Sequence, residues 1–589
     1  GAPEPMPDVQ QLLVTRLQSA VAAAFGDAYT TVDPLVRPSA QPQFGDYQAN
    51  LAMSLSKQVG AKPRDVAAKI VEKLEFHGDD DIFSKIEIAG PGFINLRLRD
   101  AFLSEQLNGI AGDTDPLGVP KASPQTVVVD YSSPNVAKEM HVGHLRSTII
   151  GDSIARVLAF QGHKVIRQNH LGDWGTQFGM LIEHLLDTNA TGAGTLSIKD
   201  LNTLYKEAQK KDEADAAFAA RARKRVVALQ AGDPETVRLW QLLIAESKRH
   251  FNAAYRQLGV GLTDEDVRGE SFYNDRLAGV VADLTSLNML KESEGARVVF
   301  PSGFIGKESE PMPMIVQKSD GGYLYATTDL AAIRYRTGDL KADRIVYVTD
   351  SRQSQHFAMV FQTAREAGWV GEQVKLEHVP FGTVLGEDKK PFKARSGETV
   401  KLIDLLNEST QRAAKIIEEK NPDLPAEERA NIARAVGIGA LKYADLSSDR
   451  IKDYIFDWNR MLAFDGNTAP YIQNAYVRVH GIFRKGGIDP ATLADKAIVV
   501  AEPNEHALAM KLLQLPAVIE GVAQSLEPHR MCTYLYETAA AYHKFFETCP
   551  VLQAPDDATR SSRLRLCALT AAVFKLGLGL LGIDVIERM

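Results

Sequence analysis

The sequence predicts an α/β multidomain protein: a doubly wound parallel sheet with an α/β insertion, an N-terminal α+β domain and a C-terminal α-helical bundle. Two strand–helix–strand patterns, at residues 126–167 and 344–378, predict the parallel sheet. Apolar residues that recur every three or four positions near the end of the chain predict the bundle.

Helix and strand patterns are mixed in the first 105 residues. Apolar residues in Gln10–Phe25 have helical spacing, and Ala61–Leu74 has the pattern of a second helix. Ile86–Leu98 alternates enough to form strands on either side of the turn Gly90-Pro91-Gly92. Residues 106–124 carry Gly, Asp and Pro without periodicity, so we interpret them as a linker.

The two strand–helix–strand units are read from buried-strand patterns and glycine helix ends. In the first, Thr126–Val129 is an apolar, β-branched run typical of a buried parallel strand. A helix over His144–Phe160, ended by Gly162, and a strand at Lys164–Arg167 follow it. The second unit comprises Arg344–Val348, the helix Gln355–Ala367 closed by Gly368, and Val374–His378.

Helical patterns fill most of the remaining chain. Leu201–Leu258 is charged and helical within an insertion at about 185–335, and the chain is almost wholly helical from about Ala426. The buried stripe of the last helix is Leu566, Leu569, Val573, Leu576 and Leu580. We divide the chain into an N-terminal domain, a sheet domain, a helical connecting region and the bundle, at 1–118, 119–400, 401–460 and 461–589.

Composition excludes several classes of protein. The chain has 589 residues, 45% apolar and 24% charged, and its net charge is −8. These values exclude a collagen, a largely disordered chain and a disulfide scaffold. The cysteines, Cys532, Cys549 and Cys567, are few and scattered, which favours a reducing compartment. We interpret the start at Gly1 as a remnant of expression. The sequence has neither a signal peptide nor a long apolar run, so we expect a cytoplasmic protein that spans no membrane.

A polar segment from Asp130 to His144 joins the first predicted strand to the next helix. Ligands of open α/β sheets bind at the carboxyl ends of strands, and helix N-termini attract phosphates. His141 and His144 can both approach one ligand, and Gly143 between them lets a flat base lie against the backbone. The segment predicts an ATP site. Zinc is a weaker alternative, because no cysteine pair or third histidine accompanies the two, so we expect no tightly bound metal.

The most specific motifs are Ser132-Ser133-Pro134-Asn135, His141-Val142-Gly143-His144 and Asn169-His170-Leu171-Gly172-Asp173-Trp174-Gly175. Asp320–Tyr325, Asn467–Tyr471 and Val585–Met589 follow in order. Together they resemble the motifs of the bacterial class I arginyl-tRNA synthetases, over essentially the whole chain. The resemblance implies a Rossmann-like catalytic domain that forms arginyl-adenylate and pyrophosphate from L-arginine and ATP. The arginyl group would then pass to the terminal adenosine of arginine tRNA.

The resemblance also implies Mg²⁺ with the ATP substrate, a monomer, and bound tRNA before arginine is activated efficiently. His141 and His144 are the implied catalytic histidines, and with Gly143 and Lys393 they would bind ATP. The usual second signature, Lys-Met-Ser-Lys-Ser, is absent, and Lys389–Gly397 takes its place, with Lys393 and Arg395 as cations. Lys138 would compensate for the missing loop lysine. A solvated surface loop is the alternative interpretation of the basic run.

Arginine selection requires carboxylates, because a guanidinium presents a planar fork of donors. The resemblance implies that Tyr325 and Asp329 serve this purpose, and a helix would place them on one face. Asp130 stands where some family members have Glu, and its shorter side chain disfavours direct contact with a guanidinium. The remaining implied arginine-binding residues are Ser133, Asn135, His141 and Gln353, with His356 nearby.

The tRNA surface is expected on the two flanking domains, and no DNA partner is expected. Phe93 and Asn95 in the N-terminal domain would stack on and hydrogen-bond a splayed base, with a core position as the alternative for Phe93. In the bundle, the predicted anticodon-facing residues are Tyr471, Asn474 and Tyr476. Two basic groups are candidate phosphate contacts or solvated helix faces: Arg221, Arg223, Lys224 and Arg225, and Arg560, Arg563 and Arg565.

Two other functions stay open on sequence grounds. A small-molecule nucleotidylyltransferase would share the histidine segment but would need neither flanking domain. A catalytically silent RNA-binding relative would be free to lose the histidines and loop cations, all of which are present. A cysteine-activating relative would carry zinc-binding cysteines, which this sequence lacks.

Overall fold

The computed structural model describes residues 8–74, 82–111, 116–188 and 198–589. The N-terminal part forms α1 (Val9–Phe25), β1 (Val36–Pro38), β2 (Tyr47–Ala49), α2 (Ala52–Val59), α3 (Pro63–Lys73), β3 (Phe83–Ala89), β4 (Phe93–Leu98) and α4 (Asp100–Ala111). Its strands form an antiparallel sheet in the order β1-β2-β4-β3. Asp8 caps α1 by accepting from the amide of Gln11, and Leu13, Leu17 and Val21 form a buried stripe on this helix.

The predicted α+β unit is confirmed, including the strands on either side of Gly90-Pro91-Gly92. The linker prediction is wrong for residues up to Ala111, which belong to α4. Phe102, Leu103 and Leu107 bury one face of that helix, and this burial outweighs the helix-weakening Asn and Gly in the segment. Residues 112–115 of the predicted linker lie outside the described residues.

The central part of the chain carries a four-stranded parallel sheet. It forms β5 (Thr126–Asp130), α5 (Val142–Phe160), β6 (Lys164–Gln168), α6 (Gln177–Asp187), α7 (Ile198–Ala214), α8 (Ala216–Gln230), α9 (Pro234–Leu258), α10 (Asn274–Ser286), β7 (Lys291–Ser293), β8 (Ala296–Val299), β9 (Met314–Gln317), α11 (Tyr325–Arg334), β10 (Arg344–Asp350), α12 (Ser354–Glu366) and β11 (Lys375–Phe381). The strand order is β11-β10-β5-β6, so the order reverses between β5 and β10. A crevice at this point is the usual ligand site of a doubly wound sheet.

Both faces of the parallel sheet are covered. Val127 and Val129 of β5 pack into one hydrophobic cluster, and Val128 packs into a second cluster with residues of α10, α11 and α12. Successive side chains of a strand point to opposite faces, which explains the uninterrupted apolar run in the sequence. The predicted doubly wound sheet is confirmed, and its insertion contains helices and the small antiparallel sheet β7-β8-β9.

The rest of the chain is mainly helical. It forms β12 (Val384–Leu385), α13 (Leu402–Lys420), α14 (Ala426–Leu446), β13 (Tyr454–Ile455), α15 (Trp458–Met461), α16 (Ala469–Gly486), α17 (Pro503–Leu513), α18 (Leu515–Ser525), α19 (His529–Thr548) and α20 (Asp557–Leu580). In α20, Leu566, Leu569, Val573 and Leu580 are buried, as the spacing predicts, and Leu576 is partly buried. Among the described residues, no helix is both long enough and apolar enough to cross a membrane.

Candidate active site

The segment that joins β5 to α5 is held in an unusual backbone conformation. The φ angles of Ser132, Ser133 and Ala137 are 75°, 53° and 68°, in a range that residues other than glycine rarely adopt. Each such residue costs on the order of 1 kcal/mol or more, so surrounding contacts must hold the segment in place. The Ser132 amide donates to Ser147 Oγ at 2.9 Å, and the Ser133 amide donates to Asn169 Oδ1 at 2.9 Å. We call residues 130–141 the motif loop.

The two histidines cap the start of α5. His141 Nδ1 accepts from the amide of Gly143 at 3.0 Å, and His144 Nδ1 accepts from the amide of His141 at 3.1 Å. The ring centroids are 4.2 Å apart. Because both Nδ1 atoms are acceptors, a neutral ring carries its proton on Nε2 and offers that atom as a donor.

Both imidazoles are neutral at pH 7. Burial is the main cause that lowers the pKa of His144 to about 3. Burial, followed by the charge of Lys138, also lowers the pKa of His141. The pair therefore supplies two neutral Nε2 donors at a helix N-terminus, which suits phosphoryl oxygens and their growing charge.

Gly143 has a local reason to be glycine. A Cβ there would lie 2.6 Å from Cε1 and 2.9 Å from Nδ1 of His141, so the imidazole occupies the space that a side chain would need. This contact lets the His141 ring fold back onto the helix start. The predicted contact between Gly143 and the adenine base stays a prediction.

Asp130 already has partners within the protein. Its Oδ2 accepts from Arg336 Nη2 at 2.8 Å, and its Oδ1 accepts from Ser133 Oγ at 3.2 Å. The Arg336 side chain is fully buried, and its Nε donates to Gln168 Oε1 at 2.9 Å. Burial lowers the pKa of Arg336, but Asp130 and neighbouring tyrosines more than offset this effect. The geometry favours an indirect role for Asp130, which fixes Ser133 rather than offering a free carboxylate.

Asp329 lies on α11, which confirms that Tyr325 and Asp329 are one helical turn apart. Asp329 Oδ2 lies 2.6 Å from Nε2 of His356, in the first turn of α12. Tyr325 is 72% exposed, and the charge of Glu270, followed by burial, raises its pKa. Gln353 is exposed at the start of α12. Asp329 and His356 therefore join α11 to the first turn of α12, the helix that follows β10.

Glu270 is an acidic member of this region that the sequence analysis missed. Burial, followed by the charges of Asp173 and Asp329, raises its pKa to about 8. A carboxyl group with such a pKa is mostly protonated at pH 7, and a nearby cation would favour its ionised form. Glu270, Asp329 and Tyr325 thus form a group that we call the acidic pocket. No local sequence signal identifies Glu270, because it lies in a short 3₁₀ turn, Glu270–Tyr273.

The motif at residues 169–175 positions that turn. Ser271 donates to both carboxylate oxygens of Asp173, from its amide at 2.8 Å and from its hydroxyl at 2.7 Å. A Cβ at Gly269 would lie 2.4 Å from Asp173, so only glycine allows this approach. The amide of Glu270 donates to the carbonyl of Leu171 at 3.0 Å. The polar residues of the motif therefore bind protein groups that hold Glu270 in place.

Asn135 and Lys138 lie on the exposed side of the motif loop. Asn135 forms an isolated β-bridge with Gly172, whose missing Cβ leaves room for the Asn135 side chain. Lys138 Nζ lies 4.8 Å from the ring centroid of Tyr205 on α7. The structure therefore gives each residue a position beside the histidines and the 169–175 motif.

The basic segment that stands in for the missing signature is anchored beside the histidines. The amide of Val142 donates to the carbonyl of Val400 at 2.9 Å, and His141 forms a bridge with Lys401. At its other end, Phe392 stacks on Phe456 with ring centroids 4.6 Å apart. Lys393 and Arg395 are exposed between these anchors. Gly397 has a φ of 83° and Gly386 lies outside the positive-φ region, so only Gly397 requires the freedom of glycine here.

The residues predicted to contact tRNA differ in accessibility. Phe93 is partly exposed, but Asn95 is 4% exposed and accepts from Gln48 Nε2 at 2.9 Å. Asn95 lies in β4 and not in the turn, and antiparallel pairing with β2 and β3 buries it, which disfavours the predicted hydrogen bond to a base. In the bundle, Tyr471 is partly buried against Tyr536, with ring centroids 5.6 Å apart.

The other two predicted bundle contacts also have neighbours within the protein. Asn474 Oδ1 accepts from Lys420 Nζ at 3.5 Å. Tyr476 is 6% exposed, lies 4.6 Å from His480 between ring centroids, and lines a cleft of about 690 Å³. Tyr476 therefore reaches a partner only along the edge that faces the cleft.

The predicted basic groups are largely paired within the protein. Arg221 binds Asp187 and Glu183, and Arg225 binds Glu183 at 2.8 Å. In the bundle, Arg563 is buried against Glu505, and Arg565 donates to the carbonyl of Lys496. Arg221, Arg225 and Arg563 thus have carboxylate partners, which α6 and α17 supply. A role of the two basic groups in binding phosphates stays a prediction.

A group of possible metal ligands is separate from the histidine pair. Among the residues that the structure describes, the group that could hold an ion is Asp449, Glu527 and His529. It includes neither His141 nor His144. The two motif histidines use their Nδ1 atoms to cap α5, so those atoms already accept hydrogen bonds from backbone amides.

Three family models match consecutive parts of the chain. The catalytic domain of the class I (R) tRNA synthetases matches residues 112–458, the DALR anticodon binding domain matches 472–589, and the arginyl tRNA synthetase N terminal domain matches 11–98. With the doubly wound sheet and the capped histidine pair, these matches define a class I tRNA synthetase.

Similarity to individual proteins narrows the class. The chain is 52% identical to an arginine–tRNA ligase of Thermobifida fusca over 585 residues, and 53% identical to one of Cellvibrio japonicus over 585 residues. In both cases 99% of this chain and 100% of the relative are covered. The arginyl-tRNA synthetase structure of Plasmodium falciparum matches with a TM-score of 0.84 at 30% identity and covers 100% of both chains. The arginyl-tRNA synthetase structure of Thermus thermophilus matches with a TM-score of 0.81 at 27% identity and covers 98% of this chain and 100% of that chain. The chain belongs to the arginyl-tRNA synthetase family.

Proposed function

We propose that the protein is an arginine–tRNA ligase, which activates L-arginine with ATP and transfers the arginyl group to the 3′-terminal adenosine of its tRNA. One observation carries the proposal beyond family membership. An acidic pocket, with Glu270 and Asp329 as its carboxyl groups, lies at the carboxyl edge of the sheet that also carries the neutral pair His141 and His144. A cationic amino acid and a nucleotide therefore each have a complementary surface at one switch point.

The acidic pocket suits arginine better than lysine. A guanidinium can donate to more than one carboxylate oxygen at once, and Asp329 and Glu270 offer such acceptors, with Tyr325 at the mouth. Lysine would leave part of these acceptors without a donor, which disfavours it strongly. We assign the arginine-binding role to these residues and to Gln353 and, for the α-amino and carboxylate end, to Ser133, Asn135 and His141, with Asp130 acting through Ser133.

In the activation step, the carboxylate of arginine attacks the α-phosphorus of ATP and pyrophosphate leaves. Charge grows on the phosphoryl oxygens and on the departing group, so positioned donors accelerate the reaction. His141 and His144 donate from Nε2 to the phosphates, and Lys393, Arg395 and Lys138 supply positive charge. Mg²⁺ enters with ATP as part of that substrate.

The flanking domains provide the tRNA surface. The bundle contacts the anticodon through Tyr471, Asn474 and the exposed edge of Tyr476, and Phe93 is the contact that we retain in the N-terminal domain. We propose a cytoplasmic monomer and keep the domain division at residues 1–118, 119–400, 401–460 and 461–589. The match of a DALR anticodon binding domain over residues 472–589 supports the assignment of the bundle.

The proposal is tested by ATP–pyrophosphate exchange with purified protein, across the amino acids and with or without arginine tRNA. We expect exchange with arginine alone among the amino acids, and only when tRNA is present. Exchange with a different amino acid, or with a small-molecule phosphate acceptor and no amino acid, would contradict the proposal. Binding of tRNA without exchange under any of these conditions would favour a catalytically silent RNA-binding protein.

A further inference from the structure

One helix of the insertion touches the active site at regular intervals. Trp240, Ser247 and Tyr255 lie on α9, seven and eight residues apart, so they recur every two turns and share one face. Trp240 Nε1 donates to the carbonyl of Asp173 at 2.9 Å. Ser247 Oγ accepts from the amide of Ala137 at 2.9 Å. Trp240 thus binds the 169–175 motif, and Ser247 binds the motif loop.

Tyr255 makes the most connected of these contacts. Its hydroxyl lies 2.7 Å from Ser132 Oγ and accepts from Asn169 Nδ2 at 2.9 Å. Asn169 Oδ1 in turn accepts from the amide of Ser133, and Thr148 Oγ1 of α5 lies 2.9 Å from Ser132 Oγ. One buried phenol therefore links the motif loop, the 169–175 motif and the helix that carries the histidines.

The contacts of α9 coincide with the strained residues. Ser132 and Ala137 both have positive φ angles, and they are the loop residues that contact Tyr255 and Ser247. A loop held against its own backbone preference returns to other conformations when its contacts are lost. The apparent affinity for a ligand then falls in proportion to the fraction of molecules with the competent loop.

We propose that Tyr255 is a positioning residue for arginine: its hydroxyl bridges Ser132 and Asn169 and so keeps the motif loop, with Ser133 and Asn135, in its binding conformation. The inference rests on the proposed function and extends it to a residue of the insertion that touches no substrate. Ser247 acts in the same way on Ala137, through a single hydrogen bond.

The test compares Tyr255→Phe with Tyr534→Phe as a matched control. Tyr534 is also a buried tyrosine, and its hydroxyl donates to the carbonyl of Lys511 at 2.6 Å in the bundle. Both variants lose one phenolic hydroxyl and keep the ring. Two measurements are made on the full-length protein: amide hydrogen exchange of residues 131–140, and KM values for arginine and ATP in tRNA-supported ATP–pyrophosphate exchange.

For Tyr255→Phe we expect faster amide exchange in residues 131–140 and an arginine KM raised about fivefold to tenfold, as expected for loss of a buried hydroxyl with two hydrogen-bond partners. The ATP KM and kcat should change less than twofold, a split that general destabilisation would not produce. Tyr534→Phe should alter neither measurement. Unchanged loop exchange, an arginine KM within twofold of the unmodified protein, or equal effects of Tyr534→Phe would overturn the inference.

Two provisions keep the outcome decisive. If Tyr255→Phe does not fold, Ser247→Ala is measured by the same criteria, with a smaller expected rise in arginine KM because one hydrogen bond is lost. If the unmodified protein shows no arginine-dependent exchange, the proposed function fails, and the hydrogen exchange of residues 131–140 alone then decides whether Tyr255 positions the loop.

Discussion

The two sides of the site are built differently. On the amino-acid side, Asp130 is paired with buried Arg336, Asp329 contacts His356, and Glu270 is held in a turn that Asp173 anchors. On the phosphate side, the histidines are fixed as helix caps, but Lys393 and Arg395 end in solvent. On the amino-acid side the carboxyl groups are thus held by protein partners, whereas the phosphate side combines fixed donors with exposed cations.

This difference follows from what each ligand demands. Selection among amino acids requires acceptors that are desolvated and fixed, because an unmatched side chain then leaves buried groups without partners. The phosphates change shape and charge during the reaction and pyrophosphate must leave, so cations on an exposed segment suit them better. The amino-acid side should therefore respond to substitution mainly in arginine KM, and the phosphate side mainly in kcat.

The largest expected effect is that of Asp329→Asn. Loss of the charged acceptor should lower kcat/KM for arginine at least about 100-fold, because hydrogen bonds between a guanidinium and a carboxylate are among the strong ones. The ATP KM should change less than about threefold. Asp339→Asn is the matched control, since Asp339 is an exposed carboxylate in the following π-helical turn, paired with Arg276. Equal loss in both variants would contradict a pocket role for Asp329.

The exposed cations give the next largest effect. Lys393→Ala should lower kcat for arginine activation by about 50-fold with arginine KM nearly unchanged, since its charge acts on the departing pyrophosphate. Lys389→Ala, on the same segment and also exposed, should retain activity within about twofold. Single-turnover formation of arginyl-adenylate measures the difference. A raised arginine KM with unchanged kcat would remove the distinction between the two sides.

Glu270 gives the amino-acid side a pH dependence. Its pKa of about 8 means that the free site is mostly protonated at pH 7, whereas guanidinium binding favours the ionised form. Arginine affinity should therefore increase with pH, by up to about tenfold per unit below pH 8, and level off above it. In Glu270→Gln the arginine KM should no longer decrease as the pH increases from 6.5 to 8.5. A variant that keeps the slope would assign the titration to another group.

Much of the fold could be predicted from sequence, because the decisive patterns are local. The β-branched run at Thr126–Val129 and the glycine that ends α5 place His141 and His144 at the carboxyl end of a strand. Repeated apolar residues on α20 likewise predict the bundle. Where a site residue directly adjoins such an element, its position could be predicted with the element.

The partners of the site residues could not be predicted, because they are distant in the chain. Asp130 pairs with an arginine 206 residues away, and Asp173 anchors a turn 98 residues away. Strand register, not composition, buries Asn95, since its neighbours across the sheet are Gln48 and Glu87. Such pairings depend on tertiary packing, which a single sequence does not show.

The smallest effect is expected away from both sides of the site, at His506 on α17. Its Nδ1 lies 2.7 Å from Asp100 and its Nε2 lies 2.9 Å from Asp46, so it joins the bundle to the N-terminal domain. Burial lowers the pKa of His506, but the two carboxylates raise it more, and the net direction is upward. Because the pKa of His506 is higher in the folded state, its protonation stabilises the fold fully at pH values below the unfolded-state pKa of about 6.5. This stabilisation disappears as the pH increases through the folded-state pKa.

His506→Gln should therefore lower the free energy of unfolding by about 1 kcal/mol at pH 6 and by much less at pH 9. Urea titrations of both proteins at the two pH values measure this difference. Arginine and ATP KM values should stay within twofold of the unmodified protein, because no residue of either side contacts His506 in the described part of the chain. An equal loss of stability at both pH values would indicate that packing, and not charge, accounts for the contribution of this histidine.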